Sequence, residues 1–111
     1  MKVDFANIDF KKEPAFKGGD GVFSVKTAGD KACKIMYGRL EKGCSIGMHR
    51  HEGSCEAIYV TRGEGRMSYE GEEQILRAGD CHYCGEGKAH SFRNDGDEPL
   101  EFFAVVPAFS E

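Results

Sequence analysis

Short apolar runs alternate with polar positions along the whole chain, and glycine-rich turns separate them. The runs stand at 22–25, 33–40, 56–61, 66–69, 74–76, 81–84, 89–93 and 100–106. Short runs bounded by Gly, Asn and Asp are typical of β-strands. No stretch of ten residues follows the 3.6-residue period of an amphipathic helix. The pattern therefore predicts an all-β sandwich or barrel.

Alternation within these runs predicts which side chains face the interior. Residues two apart on a strand share a face, so Ile58 and Val60 are expected to face inward with Glu56. Phe92 is expected to share a face with His90 in the same way. Pro107 is expected to end the last strand, because proline cannot donate to a ladder. For residues 1–16, the sequence predicts either an edge strand or an arm that packs on a neighbouring subunit.

Length and charge limit the classes of function that fit this chain. Its 111 residues suit one domain, which we expect to span 1–111. The net charge is −4 and no basic tract is present, which argues against nucleic-acid binding. Neither a secretory signal nor a transmembrane helix is apparent, so we expect no membrane association and a cytoplasmic protein.

The five cysteines are expected to be free thiols. Cys81 and Cys84 form a C-x-x-C pattern, which in other settings indicates zinc or redox chemistry. Here the pair falls in a predicted strand, where residues three apart point to opposite faces. No second C-x-x-C is available to complete a four-cysteine site. A structural role for both thiols is therefore favoured over a site.

Three of the four histidines and one glutamate have a spacing that suits a metal site. On a strand, His49 and His51 point to the same face, and Glu56 follows after a short loop. His90 comes about forty residues later, after a second glycine-rich stretch. A lone histidine on a strand is more often a packed or surface residue, but the combination favours one divalent ion, either Mn, Fe, Co, Ni or Zn.

Two segments resemble the paired motifs of the cupin superfamily. The first, residues 43–63, contains Gly43, His49, His51, Glu56 and Gly63, and the second, residues 79–94, contains Gly79, Gly87, His90 and Asn94. The resemblance implies a double-stranded β-helix, or jelly-roll barrel, with the metal inside on His49, His51, Glu56 and His90. The second motif usually has proline where this chain has Gly85, and glycine there should loosen the turn at the barrel mouth.

Four protein ligands would leave two positions open on an ion that prefers six. This predicts a metal-dependent enzyme that acts on a small oxygenated metabolite, either a dioxygenase or a non-oxidative isomerase, decarboxylase or lyase. The alternative is a non-catalytic module that binds or senses a small molecule through the metal, and fold resemblance does not choose between them. Ile58, Val60 and Phe92 are expected to line the pocket, with Ser45 and Gly47 on the face of the histidines.

No catalytic acid or base can be assigned from the sequence. The candidates by chemistry are Tyr37, Arg39, Tyr59, His82 and Tyr83, and a structural role is favoured for each. Small barrels leave sheet edges exposed, so we expect a homodimer with its interface on residues 5–10 and 100–109.

Overall fold

Ten β-strands form the described part of the chain. The computed structural model describes residues 1–109, so residues 110 and 111 of the predicted domain lie outside it. The strands are β1 (Lys11–Pro14), β2 (Val22–Gly29), β3 (Cys33–Leu40), β4 (Ser45–Arg50), β5 (Glu56–Arg62), β6 (Glu64–Tyr69), β7 (Glu72–Arg77), β8 (Cys81–Cys84), β9 (Ala89–Arg93) and β10 (Leu100–Pro107). Short 3-10 turns at Phe5–Asn7 and Phe16–Gly18 precede β1 and β2.

The strands pair antiparallel in two sheets. One sheet has six strands in the order β1-β2-β3-β10-β5-β8, and the other has four in the order β4-β9-β6-β7. Sequential strands such as β4 and β5 therefore lie in different sheets, and the chain crosses repeatedly between the two. This arrangement confirms the all-β prediction and matches a jelly-roll barrel.

The hairpin between β6 and β7 shows how local sequence sets the register. Tyr69 pairs with Glu72, which leaves Glu70 and Gly71 as a two-residue turn. Both turn residues have positive φ, 49° and 83°. Such a turn has the twist that suits antiparallel strands, and glycine adopts its second position without strain.

Aromatic side chains pack between the two sheets to form the core. Phe23 stacks on Phe102 with their ring planes 4° apart and their centroids at 5.9 Å, and Phe92 meets Phe102 edge-on at 5.3 Å. Gly38 lies beneath these rings, where a Cβ would be only 2.6 Å from the Phe23 ring. The hydrophobic core thus requires a residue without a side chain at this position on β3.

A bulge interrupts the pairing of β4 with β9. Ile46 pairs with Phe92 and His49 pairs with His90, so three steps along β4 face two along β9. Ile46 consequently faces the interior cavity, whereas the Ser45 hydroxyl accepts a hydrogen bond from the Asp20 amide at 2.8 Å. The alternation that placed Ser45 and Gly47 with the histidines does not hold through this bulge.

The N-terminal segment supplies an edge strand. β1 pairs antiparallel with β2 and ends the six-stranded sheet on that side. The arm that would reach a neighbouring subunit stays a prediction.

None of the helical turns within residues 1–109 has the length and hydropathy that a bilayer crossing needs.

Candidate metal centre

Four ligand-type side chains converge between the two sheets. The His51 Nε2 and His90 Nε2 atoms lie 3.0 and 3.1 Å from the same oxygen, Glu56 Oε1. His90 Nε2 is also 3.1 Å from the Nε2 atoms of both His51 and His49. Three imidazole nitrogens and one carboxylate oxygen therefore point at one small volume, as the sequence pattern predicted for these residues.

The topology explains why distant residues meet there. His49 near the end of β4 pairs directly with His90 on β9, so two rings share the inner face of the four-stranded sheet. His51 follows β4 immediately, and the chain then crosses to the other sheet, where Glu56 begins β5. Gly53 in this crossing has φ of +71°, a left-handed conformation that glycine adopts without strain.

Each of the three rings has a partner at its other nitrogen. His49 Nδ1 is 2.8 Å from the Gly47 carbonyl, which can only accept, so the neutral ring has its proton on Nδ1 and a lone pair on Nε2. His51 Nδ1 is 3.0 Å from the Ser54 hydroxyl. His90 Nδ1 is 3.0 Å from His82 Nε2. These contacts orient the rings and direct Nε2 atoms toward the common centre.

The electrostatics of the cluster favour an ionised Glu56 and a neutral His49. Burial alone would raise the pKa of Glu56, but its close contacts with the His51 and His90 rings outweigh burial and lower the pKa to about 2. Burial lowers the pKa of His49, which favours its neutral form. Neutral imidazole and ionised carboxylate are the forms that bind transition metals.

The spacing of these atoms suits a divalent ion at their centre. Two ligand atoms at right angles, each about 2.1 Å from an ion, lie about 3.0 Å apart. The nitrogen and oxygen separations of 3.0 to 3.1 Å match that value. The His49, His51, Glu56 and His90 set has the chemistry of a first-row transition-metal site, and the fold and this cluster together indicate a divalent metal site.

His82 is the residue of this centre whose role the sequence did not reveal. It lies on β8 opposite Ile58 of β5, and its side chain is buried against His90. Burial and the nearby His90 lower the pKa of His82 to about 4, so the ring is neutral at pH 7. A neutral His82 can accept a hydrogen bond from the Nδ1–H of His90, which leaves the lone pair of His90 on Nε2. The pairing of His82 with inward-facing Ile58 identifies the face on which His82 lies. This pairing can be predicted only when the order of the strands in the sheet is known.

A cavity of about 420 Å³ opens beside the cluster. Ile58 and Phe92 line it, together with Phe16, Met36, Ile46 and Val106. Val60 differs from expectation: it lies in the core, fully buried, and is absent from the cavity wall. Glu56 and Ile58 on the same strand do line the cavity, so the cavity wall ends between Ile58 and Val60 along β5.

The C-x-x-C pair is split between two environments. Cys81 is exposed and Cys84 is fully buried, and no disulfide joins them. Burial raises the pKa of Cys84 to about 11, and the negative charge of Glu56 acts in the same direction, so this thiol stays protonated. Cys84 lies near His82 and His90, but a buried neutral thiol fits the structural role that the sequence favoured.

The candidate catalytic residues other than His82 lie away from the cavity lining. Tyr59 and Tyr83 are exposed, and Tyr37 and Arg39 both contact Glu101 on β10. Burial raises the pKa of Tyr37, with its hydrogen bonds to Thr61 and Glu101 acting in opposite directions. These contacts link β3 to β10 and give Tyr37 and Arg39 a structural role.

Comparison with known proteins agrees with this architecture. Residues 36–106 match the family described as the Cupin domain. A protein of Thermotoga maritima named "Oxalate-binding protein" is 34% identical over 112 residues, which cover 96% of this chain and 93% of that protein.

Solved structures extend the comparison. A crystal structure titled as a predicted oxalate decarboxylase from Thermotoga maritima superposes with a TM-score of 0.92 at 30% identity, covering 98% of this chain and all of the other. The cupin domain of Schizosaccharomyces pombe Cnp3 superposes with a TM-score of 0.82 at 6% identity, over 97% of this chain and 74% of that one, a likeness of fold alone. The chain therefore belongs to the cupin superfamily.

Proposed function

We propose that this protein holds one divalent transition-metal ion, Mn, Fe, Co, Ni or Zn, and uses it to bind a small chelating carboxylate such as oxalate. The supporting observation is the convergence of three Nε2 atoms and Glu56 Oε1 on one volume, with every Nδ1 already engaged. The oxalate-binding relative supports the choice of ligand.

In this proposal, the four side chains divide the work of holding the ion. His49, His51 and His90 supply neutral nitrogens, and Glu56 supplies one negative charge. A bound divalent ion would offer its remaining positions to two oxygen atoms of the ligand. One carboxylate against a 2+ ion leaves the site with a net charge near +1, which favours an anionic ligand.

The cavity around the site adds selectivity for a small anion. Its apolar walls lower the effective dielectric constant near the site, which strengthens the attraction between opposite charges. At the rim, the cationic side chains Lys17, Lys34 and Arg50 outnumber the single carboxylate of Glu52. The rim therefore attracts anions and does not suit cationic ligands.

The second candidate is the metal-dependent enzyme expected from the sequence, and one residue favours it. Glu52 follows ligand His51 directly and lines the cavity. A carboxyl group there can exchange a proton with a bound ligand, as decarboxylation of oxalate requires: the carbon–carbon bond breaks, carbon dioxide leaves, and one proton is added to give formate. The solved relative titled as a predicted oxalate decarboxylase supports the same chemistry. A dioxygenase, isomerase or lyase has no comparable support.

Calorimetric titration of oxalate into Mn²⁺-loaded protein tests the binding proposal. We expect saturable binding near one oxalate per chain with loaded protein and none with metal-free protein. Acetate, which has only one carboxylate, is the matched control and should bind more weakly. Failure of the loaded protein to bind oxalate would contradict the proposal. Release of formate and carbon dioxide in equal amounts would show that the protein is an oxalate decarboxylase. Loss of this activity in Glu52→Gln would assign Glu52 as the proton donor.

We also infer that the protein forms a homodimer in the cytoplasm. Tyr59 and Tyr83 expose about half of their surface on adjoining strands β5 and β8, and Phe109 is similarly exposed after β10. Exposed aromatic groups of this kind are typical of interface surfaces. Free thiols at all five cysteines agree with a reducing compartment. Light scattering at micromolar concentration tests the dimer, and a mass of one chain would contradict it.

A further inference from the structure

The inner face of the six-stranded sheet has a lysine in the same transverse row as Glu56. Val105 pairs with Ala57, which sets Val106 opposite Glu56. On its other side Val106 pairs with Lys34 of β3. The row across the sheet is therefore Glu56, Val106 and Lys34, and all three residues line the cavity.

The length of this row exceeds what oxalate can occupy. Neighbouring strands lie about 4.8 Å apart, so the Cα atoms of Glu56 and Lys34 are separated by about 9.6 Å across the sheet. Both carboxylates of oxalate would be engaged at the metal, which leaves the rest of the 420 Å³ cavity unfilled. The unfilled part presents the apolar surface of Val106 and then the ammonium group of Lys34.

Of the three cations at the rim, Lys34 is the one whose head group makes no hydrogen bond or cation–π contact with another residue in the described part of the chain. The Arg50 guanidinium donates to the Gly87 carbonyl, and the Lys17 ammonium lies 5.6 Å from the Phe16 ring centroid. None of the three cations forms an ion pair within residues 1–109, and Lys34 is thus the least engaged of them. Its side chain is exposed at the cavity mouth and free to meet an anion.

We propose that Lys34 selects a short dicarboxylate whose one end is a 2-hydroxy or 2-oxo acid. The chelating end binds the metal beside Glu56, a short apolar spacer crosses Val106, and the distal carboxylate pairs with the Lys34 ammonium. This rests on the proposed function, because the chelating end needs the metal. Lys34 is then a specificity-determining residue, and oxalate fills only the metal end of the site.

Malate and 2-hydroxybutyrate form a matched pair of probes. Both have four carbons and the same 2-hydroxy acid end, and they differ only in a terminal carboxylate against a methyl group. By calorimetry on Mn²⁺-loaded protein, we expect malate to bind at least about tenfold more tightly. Lys34→Met should weaken malate binding about tenfold and leave oxalate and 2-hydroxybutyrate within about threefold. Lys31→Met, an exposed position outside the cavity, removes the same charge as a control.

The outcomes separate this proposal from the one on which it rests. Equal affinity for malate and 2-hydroxybutyrate in the wild-type protein would overturn it, even if oxalate binds. A preference for malate that survives in Lys34→Met, or is lost equally in Lys31→Met, would overturn the role of Lys34. Failure of oxalate and both hydroxy acids to bind would instead contradict the proposed function, and this inference with it.

Discussion

His82 Nε2 lies 3.0 Å from His90 Nδ1, and both rings are buried. This contact joins β8 of one sheet to β9 of the other at the back of the candidate metal centre. Because the opposite nitrogen of His90 faces the cluster, the position of His82 determines how that nitrogen is presented. In the proposed metal site, His82 is a positioning residue that acts through His90.

Replacing His82 should therefore weaken metal binding without removing a ligand. We expect His82→Ala to lower the affinity for Mn²⁺ or Zn²⁺ roughly 10- to 100-fold, the usual cost of losing a partner behind a metal-bound histidine. Competition with a chromogenic chelator measures this. His82→Gln retains an acceptor for the His90 proton and should lose less. Equal affinity in wild type and His82→Ala would show that His90 needs no such support.

Acid should destabilise the metal-free protein in two steps. The pKa of His82 is about 4 in the folded chain against an ordinary 6.5, so the unfolded chain binds more protons between these values. The stabilisation that His82 contributes is complete above pH 6.5 and is lost as pH falls toward 4. Glu56, with its pKa lowered from 4.5 to about 2, adds a further loss below pH 4.5.

Thermal melts of the metal-free protein across this pH range measure the effect. Wild type should lose stability from pH 6.5 downward, and His82→Gln, which has no titratable group there, should lose less between pH 6.5 and 4.5. Identical pH profiles for the two proteins would contradict the role of His82 in acid sensitivity.

Val60 should affect stability and leave the site intact. It is fully buried in the core and outside the cavity wall. Val60→Ala removes two buried methyl groups, which we expect to lower the free energy of unfolding by about 2 kcal/mol. Urea unfolding measures this loss, and calorimetry should show unchanged oxalate affinity. A large change in oxalate affinity would return Val60 to the pocket, as the sequence had suggested.

The effect of Gly85 on the turn can be tested by introducing the proline that is typical of the second motif. The φ of Gly85 lies outside the left-handed region, and nothing approaches a Cβ there more closely than 3.6 Å. Gly85→Pro should therefore raise the free energy of unfolding by about 0.4–1 kcal/mol, since proline restricts the unfolded chain. Gly87→Pro is the contrasting control, because Gly87 has φ of +80° and its amide donates to the His51 carbonyl at 2.7 Å. Destabilisation by Gly85→Pro would show that the turn needs a conformation closed to proline.

Local pattern was sufficient to predict most of the strands and the four clustered side chains. His49 and His51 share a face because two residues span one strand period, and glycine-rich turns mark most strand ends. The features that the local pattern did not predict depend on pairing between distant segments. The bulge between Ile46 and His49 breaks the alternation, and it is visible only against β9.

Two further residues show the same limit. The face of His82 is decided by its pairing with Ile58, and the place of Lys34 is decided by its pairing with Val106. Neither pairing follows from the residues next to it in sequence. The depth of Val60 likewise depends on where the cavity ends, which packing between the sheets determines.

Metal content tests the central claim most directly. Protein purified without a histidine tag is loaded with one divalent metal, dialysed, and analysed by plasma mass spectrometry beside His51→Ala and His90→Ala. We expect about one ion per chain in the wild type and a sharp loss in both variants, whose folding is checked by circular dichroism. Full occupancy in either folded variant, or a wild-type chain that retains no metal after loading, would contradict the assignment of His49, His51, Glu56 and His90 as a metal site.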